Sequence, residues 1–90
     1  MLINLASNEY FEAFDKKKFD GRIISPVFKD FKNGKLKTIS FYAKKARGMM
    51  VRYIVDNSVS SYNELLGFNL GNYSYNEAET SDVNFPVFTR

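Results

Sequence analysis

The clearest pattern in the chain predicts a β-hairpin. Residues 22–28 are rich in β-branched and aromatic side chains, which favour strands, and Pro26 among them indicates an edge strand or a bulge. The pair Asn33-Gly34 then lies between two extended stretches, and this dipeptide is strongly preferred at the centre of a tight hairpin turn. Residues 36–42 are predicted to form the returning strand.

The start of the chain predicts a strand end followed by a helix. Residues 1–5 form a short apolar run, which indicates a strand. Aromatic and small apolar side chains then recur at helical spacing, which predicts a helix over residues 8–15. Ser7 stands just before this segment, where a serine hydroxyl commonly caps the first free N–H groups.

A longer helix is predicted over residues 43–56. With a rotation of about 100° per residue, its apolar side chains collect on one side. These side chains are Ala46, Met50, Tyr53 and Ile54, with Met49 at the margin.

The last third of the chain predicts a short helix and a second hairpin. Ser60 or Ser61 can cap a helix that runs to Leu66. Residues 73–75 and 85–88 are predicted to be two strands, joined by an acidic loop.

Together these elements predict an α+β fold. The sheet is expected to be mainly antiparallel, because two hairpins build it, and one main helix and two shorter helices pack with it. The 90 residues are 44% hydrophobic and 17% aromatic, which is enough for a packed core. We therefore expect residues 1–90 to form a single unit.

The composition excludes several kinds of chemistry. The chain has no Cys and no His, so it can build no disulfide, thiolate nucleophile, Cys/His zinc site or Ser-His-Asp triad. We expect this chain not to be an enzyme and to hold no cofactor or metal. No apolar run approaches the roughly 20 residues of a membrane span, and the N-terminus lacks a signal-peptide pattern. The default expectation is a cytoplasmic protein without a membrane partner.

The net charge is only +3, but the basic residues are unevenly placed. Residues 41–52 contain no acid and hold four cations: Lys44, Lys45, Arg47 and Arg52. Cations at the start of a helix oppose the helix dipole, which favours anions there. This conflict suggests that the charges face an external anion.

Lys45 and Arg52 are seven residues apart, on one side of the predicted helix. Gly48 lies near them and would let a phosphate backbone approach closely, while the free N–H groups of the first turn would add attraction. The alternative is a solvated helix face on which Arg52 pairs with Asp56.

Arg47 projects between Val51 and Ile54, where an apolar side chain is expected. A buried guanidinium needs a carboxylate, a carbonyl or a bound anion. Arg47 is therefore either a structural ion-pair residue or a recognition residue, and the sequence does not choose between the two.

Several blocks resemble the bacterial peroxide-stress protein YaaA family. The most specific is ISFYAKKARGMMVRYIV over residues 39–55. The others occur in the family's order and are NLASNEYF at 4–11, PVF at 26–28, NGK at 33–35, LLGF at 65–68 and VFTR at 87–90. The resemblance covers essentially the whole chain but only the C-terminal third of the longer family members. It thus implies that this chain has as a partner the N-terminal part of the family fold, which this sequence does not include.

The resemblance implies a cytoplasmic protein that protects against hydrogen peroxide by limiting free iron, and that binds DNA through a positively charged cleft and a helix-hairpin-helix-like element. It places the cleft wall at Lys44, Lys45, Arg47 and Gly48, continued by Arg52. Tyr42 is available to stack on an exposed base. The expected DNA binding is weak, directed at phosphates and sensitive to salt.

Residues 62–71 suggest the hairpin of a helix-hairpin-helix, but residues 72–75 are predicted to form a strand where the second helix is required.

Two other functions are open. The first is an enzyme acting on a phosphorylated small molecule, with Arg47 as an anion clamp and the catalytic residue outside this chain. The second is an iron-handling protein that uses the loop carboxylates Glu77, Glu79 and Asp82.

Overall fold

The computed structural model describes residues 2–6, 9–12 and 23–90, and within the first two ranges it describes the side chain of Ile3 only. Seven strands, two helices and a 3-10 turn follow one another along these residues. They are β1 (Leu2–Ala6), β2 (Glu9–Glu12), β3 (Ile23–Ile24), β4 (Val27–Lys32), β5 (Lys35–Lys37), α1 (Ser40–Asp56), α2 (Tyr62–Leu65), the 3-10 turn (Leu70–Asn72), β6 (Ser74–Tyr75) and β7 (Val87–Thr89).

The strands form two sheets. The first has the order β2-β1-β3, with β2 antiparallel and β3 parallel to β1. The second has the order β5-β4-β7-β6, in which β4–β5 and β6–β7 are antiparallel and the central pair β4–β7 is parallel. The α+β class is therefore confirmed, with a mixed four-stranded sheet beside one main helix.

Both predicted hairpins are present. Asn33 and Gly34 have φ values of 54° and 78°, the two successive left-handed residues that a type I′ turn requires. In the second hairpin β6 pairs with β7, and the Thr80 hydroxyl of the connecting loop accepts a hydrogen bond from the Val87 N–H at 2.9 Å.

The predicted helix over residues 8–15 is wrong where it can be compared. Residues 9–12 form β2, which pairs with β1 through Ile3 opposite Phe11 and Asn4 opposite Tyr10. The other residues of the predicted helix, and Ser7, lie outside the described residues. Strand β1 supplies the backbone partners for β2, and this pairing with the preceding strand overrides the local helical spacing.

The strand predicted over residues 22–28 is two strands in different sheets. Ile23–Ile24 joins β1, and Val27 begins β4. Pro26 separates them because it has no N–H to donate to a ladder. On either side of it, the N–H groups of Ser25 and Val27 donate to the carbonyls of Asn84 and Pro86, at 2.7 and 2.9 Å. Arg22 lies outside the described residues.

The returning strand is shorter than predicted. It ends at Lys37, and Ser40 already begins α1, so the last residues of the predicted strand are helical. The helix closes its first turn with the Ala43 N–H donating to the Ile39 carbonyl at 2.8 Å. Ala43 is buried in the core, and this anchoring overrides the strand preference of the aromatic residues before it.

Helix α1 packs on β1, β4 and the 3-10 turn. Its buried side chains Ala43, Ala46, Met50 and Ile54 follow the predicted apolar stripe. Beneath them lies an aromatic cluster in which Phe28 is 5.8, 5.5 and 5.5 Å from the ring centroids of Phe68, Tyr73 and Phe88.

The short helix is confirmed as α2. The Ser61 hydroxyl accepts a hydrogen bond from the Glu64 N–H at 3.2 Å and so caps its first turn. No second helix follows: the chain passes through the 3-10 turn into β6, as the sequence predicts. None of the helices in the described ranges combines the length and apolar character needed to cross a bilayer.

Candidate nucleic-acid interface

All the predicted binding residues lie on α1, whose start differs from the prediction. Because α1 begins at Ser40, Lys44 and Lys45 belong to its second turn, and the free N–H groups of the first turn precede them. The expectation that the lysines stand at the helix start is therefore wrong. The first turn itself has no acidic residue and no side-chain cap.

The cations of α1 lack carboxylate partners among the described residues. Lys44, Lys45 and Arg52 are exposed, and Arg47 is partly exposed. Among the described residues, none of the four forms an ion pair with a carboxylate, and the alternative pairing of Arg52 with Asp56 does not occur. The tips of these side chains are thus not neutralised within this part of the molecule.

Lys45, Gly48 and Arg52 share one side of α1, which we call the basic face. Lys45 and Arg52 differ by about 20° around the axis and by about 10 Å along it. Gly48 is exposed, and a Cβ added there would meet nothing within 4 Å. Lys44 flanks this face at about 100° from Lys45.

Arg47 lies apart from the basic face. It is about 160° around the helix from Lys45, next to the buried Ala43 and Met50. No carboxylate or carbonyl of the described residues is within hydrogen-bonding distance of its guanidinium. The structure therefore places Arg47 beside the core, and no described residue supplies the ion-pair partner that one interpretation of the sequence required.

Two aromatic rings extend the basic face at its N-terminal end. Phe41 is 68% exposed and Tyr42 41% exposed, and their ring centroids are 5.8 Å apart. Lys45 Nζ lies 5.6 Å from the Phe41 centroid, and the Arg90 guanidinium carbon lies 5.1 Å from the Tyr42 centroid. The structure thus brings the predicted residues Tyr42 and Lys45 into contact with Phe41 and Arg90, which the sequence analysis missed.

The two missed residues differ in how they could have been found. Phe41 is four residues before Lys45, so a correct helix start would have placed them side by side. Arg90 is 48 residues from Tyr42, and no local pattern connects them.

Arg90 is held in place by a buried carboxylate. Asp30, on β4, accepts hydrogen bonds from Arg90 Nε and from the Tyr73 hydroxyl, each at 2.5 Å. Arg90 Nη1 also donates to the Gly71 carbonyl at 3.0 Å, and the guanidinium lies 4.5 Å from the Tyr73 centroid. Together with the contact between Arg90 and Tyr42, these contacts connect β4, the 3-10 turn and the residue after β7 to the first turn of α1.

The network changes the pKa values of Tyr73 and Arg90. Burial, reinforced by the hydrogen bond to Asp30, raises the pKa of Tyr73 to about 12. The hydrogen bond to Asp30 also raises the pKa of Arg90 above its ordinary value. Tyr73 therefore remains a neutral donor and Arg90 a cation throughout the physiological pH range.

The loop carboxylates do not converge. Glu77, Glu79 and Asp82 are exposed, and Asp82 accepts a hydrogen bond from the Asn84 N–H at 2.9 Å. In the described ranges, no three acidic residues are close enough to hold a metal ion together.

Comparison with known proteins supplies the family. Residues 1–79 match the family described as peroxide stress protein YaaA. UPF0246 proteins of Shewanella loihica, Shewanella sp. strain ANA-3 and Shewanella woodyi are 60%, 59% and 60% identical to this chain over all 90 of its residues. The match takes in 34–35% of their length, so the chain spans about a third of these relatives. The chain belongs to the peroxide stress protein YaaA family.

Proposed function

We propose that this chain is a non-enzymatic nucleic-acid-binding part of a cytoplasmic protein that limits iron- and peroxide-dependent damage to DNA. Lys44, Lys45 and Arg52 contact phosphates, Gly48 allows the backbone to come close, and Arg47 adds positive charge from the side. The observation that carries the proposal is a helix with four cations whose charges no carboxylate of the described residues neutralises.

Phosphate contacts of this kind position a nucleic acid without reading its sequence. Each phosphate neutralised releases counterions, so affinity falls as salt rises. On duplex DNA the logarithm of the binding constant falls against the logarithm of the salt concentration with a slope of about −0.9 per phosphate. Three or four contacts correspond to weak binding that is lost between low and physiological salt. Membership of a peroxide-stress family supports DNA as the polyanion, because DNA is a principal target of peroxide damage.

The proposal is tested by reversing the charge of the two adjacent lysines. In the variant with Lys44→Glu and Lys45→Glu, we expect affinity for a 20-base-pair duplex to fall at least tenfold at low salt, and the salt slope to decrease by about two. Both changes are expected because two phosphate contacts are lost. Fluorescence anisotropy titrations at several salt concentrations give both quantities.

The matched control is Lys35→Glu with Lys37→Glu. These exposed lysines lie on β5, and the exchange produces the same change in net charge, from +3 to −1. The control should retain most of the affinity. If the two double variants lose affinity equally, or if the α1 variant keeps the original affinity and slope, the proposed contact surface is wrong.

A second prediction concerns Gly48. Replacing it with alanine should raise the free energy of unfolding by about 0.5–1 kcal/mol, because alanine is the better helix former and its Cβ meets no neighbour. The same change should weaken DNA binding severalfold, since a side chain would stand between the helix and the phosphate. Chemical denaturation and anisotropy measure the two effects. A stabilised protein with unchanged affinity would show that no backbone approaches Gly48.

Arg47 also supports a second candidate, an enzyme acting on a phosphorylated small molecule. A guanidinium beside the core, without a carboxylate partner among the described residues, suits a bound phosphate. This function would show as saturable nucleotide binding that Arg47→Ala weakens and that the two-lysine reversal leaves intact.

A further inference from the structure

We propose that Phe41 and Tyr42 form a stacking platform for unpaired bases, which makes single-stranded nucleic acid the preferred partner of the basic face. This inference rests on the proposed function and adds to it, because phosphate contacts alone do not distinguish single strands from duplexes. It concerns the first turn of α1, where the sequence suggests stacking for Tyr42 alone.

The first observation is exposure. Phe41 is 68% exposed and Tyr42 41% exposed, and neither belongs to the buried core cluster or to the residues packed against it. Exposing two adjacent aromatic rings forgoes the free energy that their burial would contribute. Two such rings next to the basic face therefore fit a contact with another molecule.

The second observation is that cations accompany both rings. Lys45 lies over Phe41, and Arg90 lies against Tyr42, at 5.6 and 5.1 Å from the ring centroids. Proteins that bind single strands combine aromatic rings, on which bases stack, with cations along the path of the backbone. Here the two rings lie in the first turn of α1, Lys45 lies in the second turn, and Arg90 packs against Tyr42 from the end of the chain.

The third observation is preorganisation. Arg90 is fixed by Asp30 at 2.5 Å and by the Gly71 carbonyl at 3.0 Å, and it approaches Tyr73 on one side and Tyr42 on the other. Tyr42 therefore packs against a guanidinium that the buried core already holds. A ring held before binding loses less conformational entropy when a base stacks on it.

The orientation of the rings selects unpaired bases. Phe41 and Tyr42 are inclined by 67°, with centroids 5.8 Å apart. Neighbouring bases of a duplex are parallel and about 3.4 Å apart along the strand, and their faces are covered by each other. Two bases can stack on two inclined rings only when they are splayed apart, as they are in a flexible single strand.

The test compares a 12-nucleotide oligothymidylate with a 12-base-pair duplex, at the same low salt concentration, by fluorescence anisotropy. In the variant with Phe41→Ala and Tyr42→Ala, we expect affinity for the single strand to fall at least tenfold and affinity for the duplex to change less than twofold. The salt slope should stay the same, because no phosphate contact is removed. Tyr42→Phe should retain the single-strand affinity, since it keeps the ring.

The control is Phe31→Ala on β4, which removes another exposed ring, 64% exposed, and should leave both affinities unchanged. Thermal denaturation verifies that each variant is folded, as expected for changes at exposed positions. An unchanged single-strand affinity, or an equal loss for both ligands, overturns the platform. If the platform fails while the two-lysine reversal still abolishes binding, the proposed phosphate contacts stand. If the lysine reversal has no effect, the proposed function itself fails.

Discussion

Replacing Asp30 with alanine is expected to lower the free energy of unfolding by about 3 kcal/mol. Asp30 is a buried carboxylate, 8% exposed, that accepts one hydrogen bond from Tyr73 and one from Arg90. Its removal leaves the Tyr73 hydroxyl without its acceptor and the Arg90 guanidinium without its counter-charge. The estimate lies at the lower end of the range for broken buried pairs, because Arg90 is partly exposed and water can solvate it.

Urea denaturation followed by circular dichroism measures this loss. A double-mutant cycle with Arg90→Ala separates the ion pair from the other contacts of Asp30, and we expect a coupling energy of about 1–3 kcal/mol. Glu79→Ala serves as the control, because it removes an exposed carboxylate and should change stability by less than about 0.5 kcal/mol. A loss below 1 kcal/mol for Asp30→Ala would show that the network contributes little to the fold.

The second large effect is expected at the centre of the core. Phe28 is 2% exposed and contacts the rings of Phe68, Tyr73 and Phe88. Phe28→Ala removes most of its side chain and leaves a cavity, so we expect a loss of about 3–5 kcal/mol. For a domain of this size that loss corresponds to a fall in melting temperature of more than 10 °C.

The matched control is Phe31→Ala, three residues along the same strand. Phe31 points away from the core and is 64% exposed, so its removal should cost less than about 1 kcal/mol. If Phe28→Ala does not fold, Phe28→Leu keeps part of the volume and should lose about 1–1.5 kcal/mol. Equal effects at positions 28 and 31 would contradict the arrangement of β4 described above.

The two stability effects bear on binding as well. Asp30 fixes Arg90, and Arg90 lies against Tyr42, so loss of Asp30 should loosen one side of the proposed stacking platform. The ring contacts of Phe28 are with Phe68, Tyr73 and Phe88 in the core. At temperatures where both variants are folded, Asp30→Ala should therefore weaken single-strand binding more than Phe28→Leu does.

Local patterns predicted the parts of the fold that local forces control. The Asn33-Gly34 turn, the Ser61 cap and the apolar stripe of α1 each depend on residues within a few positions of one another. A tight hairpin turn needs residues that tolerate positive φ, a helix cap needs a hydroxyl, and an apolar stripe needs a regular spacing of apolar side chains. These residue types and spacings can be read directly from the sequence.

Local patterns failed where a partner outside the segment decides its conformation. Residues 9–12 have helical spacing but form β2, because β1 provides a ladder for them. Helix α1 begins at Ser40, although strand-favouring residues surround this position, because Ala43 and Ala46 are anchored in the core. In both segments, contacts with other elements outweigh local preferences that differ by less than about 1 kcal/mol per residue.

By itself the sequence determined the α+β class, the two hairpins, the family and the concentration of positive charge on α1, because composition and short spacings encode each of these. Only the tertiary structure decided that no carboxylate of the described residues pairs with Arg47, and that Phe41, Tyr42 and Arg90 meet beside Lys45. The physical reason is distance along the chain: Asp30 and Arg90 are 60 residues apart, and folding alone brings them within hydrogen-bonding reach.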